Sequence, residues 1–140
     1  MTRRPHSPLA LYLAVAYALL VVYASLHPFA GWRDNGAPLF AFLDAAWPRY
    51  YTGFDLAANV LAYVPLGFLL VPALQARLGI AAAALIAALA GAGLALGLET
   101  LQNFLPSRVP SNIDLACNGI GAMIGAAAGM NWGRELVDGG

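Results

Sequence analysis

The sequence has few charged residues and no lysine. Only 10% of its 140 residues are charged, against about 25% in a typical soluble domain, and all seven basic residues are arginine. Hydrophobic residues make up 61% of the chain. So apolar a chain cannot cover itself with a polar surface in water, which excludes an ordinary soluble domain and favours a membrane protein.

The sequence has one cysteine, no net charge and none of the common catalytic motifs. The single Cys117 excludes an intrachain disulfide, and a formal net charge of zero gives no indication of a nucleic-acid partner. No phosphate-binding loop, GxGxxG, CxxC or Ser/His/Asp spacing occurs in the sequence. The sequence therefore does not decide whether the protein is an enzyme. It contains no motif that requires a cofactor, although the acidic residues described below could hold a divalent cation.

Four apolar segments are long enough to cross a bilayer as helices. They lie at about 9–26, 54–74, 79–104 and 113–130, each near the ~20 residues that a spanning helix needs. This pattern predicts an all-α membrane protein with a single domain over residues 1–140. The first segment has an alternative interpretation as a secretory signal peptide, with a basic start and a cleavage site at Val22-Tyr23-Ala24.

The segments between these spans are polar or rich in proline and glycine. Within 27–53 the apolar stretch 39–47 predicts a short helix lying in the membrane interface, where nearby tryptophans and tyrosines suit the aromatic belt. A tight turn is predicted at 75–77, and 131–140 is expected to be a frayed tail. Four spans place both termini on one side of the membrane. With both termini in the cytoplasm, four arginines lie on the cytoplasmic side and three on the outside, so the positive-inside rule favours this orientation. The four are Arg3, Arg4, Arg77 and Arg134; the three are Arg33, Arg49 and Arg108.

The polar residues inside the spans concentrate at one end of the predicted bundle, the extracytoplasmic end in this orientation. They form three pairs spaced three or four residues apart, so each pair lies on one helix face. Charge at membrane depth is costly, so these residues are candidates for function. The pairs are Asp55 with Asn59, Glu99 with Gln102, and Asp114 with Asn118.

A short internal repeat relates the two halves of the chain. The segment TGFDLAAN at 52–59 matches SNIDLACN at 111–118, and the span before each ends at a proline. The four spans therefore form two similar hairpins. On the fourth span, Gly121, Gly125 and Gly129 continue the polar face and permit close approach of another helix or of a second copy of the chain.

Each candidate also has a structural interpretation. Thr52 with Asp55, and Ser111 with Asp114, fit capping boxes. Glu99 lies near a helix C-terminus, where the helix dipole opposes an anion, so its alternative role is an ion pair with an arginine such as Arg108.

Two residues outside the spans complete the candidate set. Arg108 is either a solvated loop arginine or an anion clamp, because its planar fork suits phosphate. His27 is either an ordinary interfacial residue or a proton carrier that titrates near neutrality.

Together these motifs resemble the VanZ-like family of bacterial membrane proteins. The resemblance rests on DxxxNVLAYVPLGFL at 55–69, ETLQNFLPSR at 99–108 and DLACNGIG at 114–121, and it covers nearly the whole chain. It implies a four-helix protein of the bacterial cytoplasmic (inner) membrane. The name-giving member is associated with resistance to the glycopeptide teicoplanin, which membership alone does not extend to this chain.

Three functional hypotheses follow. In the first, the polar cluster binds the head of a phosphorylated envelope lipid or lipid-linked glycan: Arg108 holds phosphate, the amides of Asn59, Gln102 and Asn118 donate hydrogen bonds, and His27 lies nearby. The acids Glu99, Asp55 and Asp114 then orient Arg108, hold a cation or act as a catalytic base. The second makes the protein a non-catalytic structural or accessory subunit of an envelope complex, and the third a small transporter or flippase subunit.

Overall fold

A computed structural model of the chain describes residues 8–48 and 50–138. Arg3, Arg4 and Arg49, which enter the arginine count above, lie outside these residues, as does the basic start of the first segment. The described chain forms five helices: α1 (Leu9–Leu26), α2 (Ala41–Asp44), α3 (Gly53–Leu78), α4 (Ile80–Gln102) and α5 (Asn112–Asp138). The helices α1, α3, α4 and α5 are long and apolar enough to cross a membrane. The predicted all-α fold with four spanning helices is confirmed.

The turn between α3 and α4 lies later than predicted. Residues 75–77 are helical, and the chain turns at Gly79, whose φ of +79° is in the left-handed region that favours glycine. Glutamine, alanine and arginine are strong helix formers, so nothing at 75–77 stops the helix. The tight turn predicted there is wrong.

The C-terminal end of α5 is also longer than predicted. The helix continues from Met130 to Asp138 rather than fraying. Gly133 is buried, and a Cβ added there would lie 3.0 Å from Cδ of Pro72. The segment of α3 around Pro72 thus supplies a surface on which the polar end of α5 packs.

The centre of the bundle is the contact between α3 and α5, the most extensive pairing of the fold. A Cβ added at Gly121 would collide with the carbonyl oxygen of Val60, and one at Gly125 with that of Val64. Their lack of side chains brings the two backbones together. The helix α4 packs against both, while α1 packs mainly on α3. The glycine face of α5 is therefore used within the chain.

The long connection between α1 and α3 crosses the end of the bundle where α1 and α4 finish and α3 and α5 begin, called here the polar end. It contains α2, which is only four residues long. Side-chain amides of Asn103 and Asn112 donate to the carbonyls of Leu39 and Ala45, both at 2.8 Å. These contacts hold the connection against the end of α4 and the start of α5. The exposed aromatic residues of the connection include Phe29, Trp32, Phe40, Trp47, Tyr50 and Tyr51.

Candidate functional site

A cavity of about 580 Å³ opens at the polar end, between α1, α3, the end of α4 and the start of α5. It collects six of the eight site residues expected from the sequence. They are Asn59, Glu99, Gln102, Arg108, Asp114 and Asn118. The other two, Asp55 and His27, do not line it.

Glu99 is buried in the wall of this cavity, with 5% of its surface exposed. Its Oε2 accepts a hydrogen bond of 2.9 Å from the backbone N–H of Ser111, immediately before α5. The first N–H groups of a helix have no partner within it, and a carboxylate near them is favoured by the helix dipole. The structure therefore pairs Glu99 with the start of α5 rather than with Arg108.

This contact makes the two repeated helix starts differ. At α3, Asp55 N–H donates to Thr52 Oγ1 (3.1 Å) and Thr52 N–H donates to Asp55 Oδ2 (2.8 Å), a complete capping box. At α5, Asp114 N–H donates to Ser111 Oγ (3.3 Å), but the reciprocal N–H goes to Glu99. Glu99 thus takes the role that Asp114 would have, and the Asp114 carboxylate is released towards the cavity.

Removal of the hydroxyl from the α3 cap tests its structural role. We expect Thr52→Ala to lower the free energy of unfolding by about 1 kcal/mol, because the N–H of Asp55 loses its acceptor. Thr52→Ser keeps the hydroxyl and should retain most of that stability. Unfolding in detergent, followed by circular dichroism, makes the comparison. Equal losses in both variants would show that the methyl group, not the cap, matters.

The side-chain amides of Asn59 and Gln102 donate to the protein itself. Nδ2 of Asn59 donates to the Asp55 carbonyl (2.9 Å) and to Oδ1 of Asp114 (3.2 Å), which uses both of its N–H groups. Nε2 of Gln102 donates to the carbonyl of Ser25 (3.0 Å). Donation to a ligand was expected of these amides; the structure engages both N–H groups of Asn59 within the protein and one of the two N–H groups of Gln102.

Arg108 binds the C-terminal end of α1. Its Nε and Nη2 donate to the carbonyl of His27 (3.1 and 3.0 Å), and Nη2 also donates to that of Ala24 (2.9 Å). A cation beside the last carbonyls of a helix is favoured by its dipole. His27 takes part through its backbone, while its ring lies 5.5 Å from the ring of Tyr23.

A second, smaller cavity of about 350 Å³ adjoins the first. Asp55 lines it, together with Tyr50 and Tyr51, and it shares Asn59 and Asp114 with the larger cavity. The three predicted acids therefore do not meet in one chamber. Among the described residues, no group of three or more His, Cys, Asp or Glu side chains could hold a metal ion.

Four further polar residues, outside the candidate set from the sequence, line the larger cavity: Tyr17, Ser25, Tyr63 and Ser107. Tyr63 is 3% exposed and lies one helical turn after Asn59, a spacing that extends the polar face of α3. The hydroxyl of Tyr17 donates to the carbonyl of Ala62. Periodicity could have revealed Tyr63, whereas no polar residue lies three or four positions from Tyr17 in α1.

The exposed part of the lining of the larger cavity, called here its rim, is mostly apolar: it consists of Leu20, Ala24 and Val109, with Ser107 as its polar member. Leu20 and Val109 line it with 57% and 83% of their surfaces exposed. Glu99 and Asn118, by contrast, line the interior of the cavity, each with 5% of its surface exposed. The cavity therefore changes from apolar at its opening to polar at its buried wall.

Among the comparisons with known proteins, the comparison with family models finds a match. The family model described as VanZ/LLP1 matches residues 8–132, which include all four spanning helices up to residue 132 and every cavity residue named above. No curated protein and no solved structure matches the chain. Since the match covers most of the sequence, the chain belongs to the VanZ/LLP1 family.

Proposed function

We propose that the larger cavity binds the head of a phosphorylated membrane lipid or lipid-linked glycan. The observation that carries the proposal is the change from an exposed apolar rim, with Leu20 and Val109, to a buried polar wall, with Glu99 and Asn118. An amphiphile that inserts head first meets the same order of surfaces. An envelope lipid bound in this way is the connection we propose to the glycopeptide resistance associated with the family's name-giving member.

Arg108 is the proposed phosphate ligand. Its hydrogen bonds to the described residues use Nε and Nη2, which leaves Nη1 for an anion in the cavity. The carbonyl contacts fix the guanidinium plane, so little side-chain entropy remains to be lost on binding. A phosphate held there lies near the end of α1, with the acyl chains against the apolar rim.

Replacement of Arg108 tests this role. We expect Arg108→Ala to lower affinity for phosphatidic acid in detergent micelles at least tenfold, because hydrogen bonds to charged groups contribute about 1.5–3 kcal/mol. Arg108→Lys keeps a positive charge without the planar fork and should retain part of the binding. Arg33→Ala is the matched control, since Arg33 is an exposed loop residue at the same end whose described contact is its backbone N–H. Unchanged binding in Arg108→Ala would refute the assignment.

A purely structural role is the second candidate, and one observation favours it. Glu99, Gln102 and Arg108 each bind the backbone of a neighbouring element, so they lock α1, α4 and α5 together. In that case Asp55→Asn, Asp114→Asn and Glu99→Gln change folding and abundance alone. Normal abundance with complete loss of lipid binding in Asp114→Asn would reject this candidate.

A transport role has less support. The acidic residues Glu99 and Asp114 lie at the polar end, and the other half of the bundle offers no matching polar path in the sequence.

A path between copies would need a free helix face. The α5 face of Gly121 and Gly125 is covered by α3, whereas Gly93 and Gly97 on α4 have open surroundings. Self-association through α4 is the form of oligomer that we propose.

A further inference from the structure

The buried wall of the cavity presents hydrogen-bond acceptors. Asn118 is 5% exposed and lines the cavity, and its Oδ1 has no hydrogen-bond partner among the described residues. An unpaired buried acceptor costs about 1–3 kcal/mol. A site that leaves this atom unpaired is therefore suited to a ligand that donates to it.

The two carboxylates of the wall have oxygens to spare as well. The hydrogen bond of Glu99 uses Oε2, and that of Asp114 uses Oδ1. No donor among residues 8–48 and 50–138 is recorded for the second oxygen of either group. Both N–H groups of Asn59 are already engaged, so this side chain has no donor left for a second anion beside the two carboxylates.

We infer that this wall binds the primary ammonium group of the lipid head. An ammonium group has three donors and no acceptor, whereas each hydroxyl also brings lone pairs to face the acceptors of the wall. It also supplies the positive charge that the buried Glu99 and the half-buried Asp114 need, because the hydrogen bonds of Arg108 to the described residues go to carbonyls at the end of α1 and to neither carboxylate. The inference rests on the proposed function: phosphate at Arg108 near the rim, ammonium at Asn118, Glu99 and Asp114.

Three phospholipids with identical acyl chains separate the contributions. Phosphatidylethanolamine carries the ammonium group, phosphatidylcholine has the same charge without N–H donors, and phosphatidylglycerol offers hydroxyls. We expect the full-length protein, in mixed micelles with each lipid, to bind phosphatidylethanolamine at least about tenfold more tightly than either of the others. Native mass spectrometry of the bound lipid measures the preference.

Two variants locate the preference. Asn118→Leu removes the unpaired acceptor at nearly constant volume, and Asp114→Asn removes one charge while keeping an oxygen for Asn59. Both should reduce the preference for phosphatidylethanolamine over phosphatidylcholine to less than threefold. Asn131→Leu is the matched control, because it makes the same change on α5 at an exposed position outside the cavity. It should leave the preference unchanged.

The outcomes distinguish this inference from the proposed function beneath it. Equal binding of the three lipids, each weakened by Arg108→Ala, would overturn the ammonium site and leave phosphate binding in place. A preference that survives in both Asn118→Leu and Asp114→Asn would likewise overturn it. Binding of none of the lipids would overturn both. If the wild type prefers phosphatidylethanolamine and each of the two variants loses this preference, the result supports the ammonium site and the proposed function together.

Discussion

Gly121→Ala is expected to cost about 3 kcal/mol or more of folding free energy, a large effect for a single methyl group. The added Cβ would collide with the carbonyl oxygen of Val60 and lie 3.2 Å from Cβ of Tyr63. The first of these is backbone, which cannot move aside as a side-chain end can. Overpacking typically costs about 1–3 kcal/mol, and more where the backbone must shift.

The loss should extend beyond the site of substitution. Separation of α3 and α5 at Gly121 also opens the close approaches at Gly67 and Gly125, which join the same two helices. The yield of monodisperse protein in detergent, together with unfolding followed by circular dichroism, measures the effect.

The matched control lies two residues away on the same helix. A Cβ added at Gly119 meets no atom within 4 Å, so Gly119→Ala should leave stability unchanged or raise it by up to about 1 kcal/mol through helix propensity. Both variants add the same atoms and the same helix propensity to α5. If Gly119→Ala destabilises the protein as much as Gly121→Ala, the close packing of α3 on α5 is not what limits stability.

The spanning helices could be predicted because the bilayer fixes their length and composition. The limits of α1 agree with the apolar run at 9–26. The ends of α3 and α5 could not be predicted from hydropathy, because they are set by other forces. Gly79 ends α3 through its backbone conformation, and the polar residues after Met130 stay helical because Gly133 packs on Pro72.

The polar cluster could be predicted in part for a related reason. Spacing along each helix places Asn59, Glu99 and Asn118 at one end, and the structure brings these side chains to one cavity. Spacing does not determine which atom bonds to which. The repeat predicts identical caps at α3 and α5, yet Glu99, from a third helix, replaces Asp114 in the second cap. That exchange depends on the packing of α4 against α5, which no local pattern contains.

The same exchange makes Glu99 a residue whose replacement should strongly affect ligand binding. Glu99→Gln keeps an oxygen that can accept from the Ser111 N–H, so the start of α5 stays paired. It removes the charge that we assign to an ammonium group. We expect near-normal folding and at least tenfold weaker binding of phosphatidylethanolamine, measured by lipid titration of the purified protein.

Glu99→Leu separates the two roles of this carboxylate. Leucine leaves the buried N–H of Ser111 without a partner, which should cost about 1–3 kcal/mol of stability in addition to the loss of binding. A purely structural carboxylate would make Glu99→Gln resemble the wild type in lipid binding as well as in folding. A purely ligand-binding carboxylate would make both variants equally stable. Only the combined role, in which one oxygen caps α5 and the other faces the cavity, predicts a stable Gln variant that does not bind and a Leu variant that is also unstable.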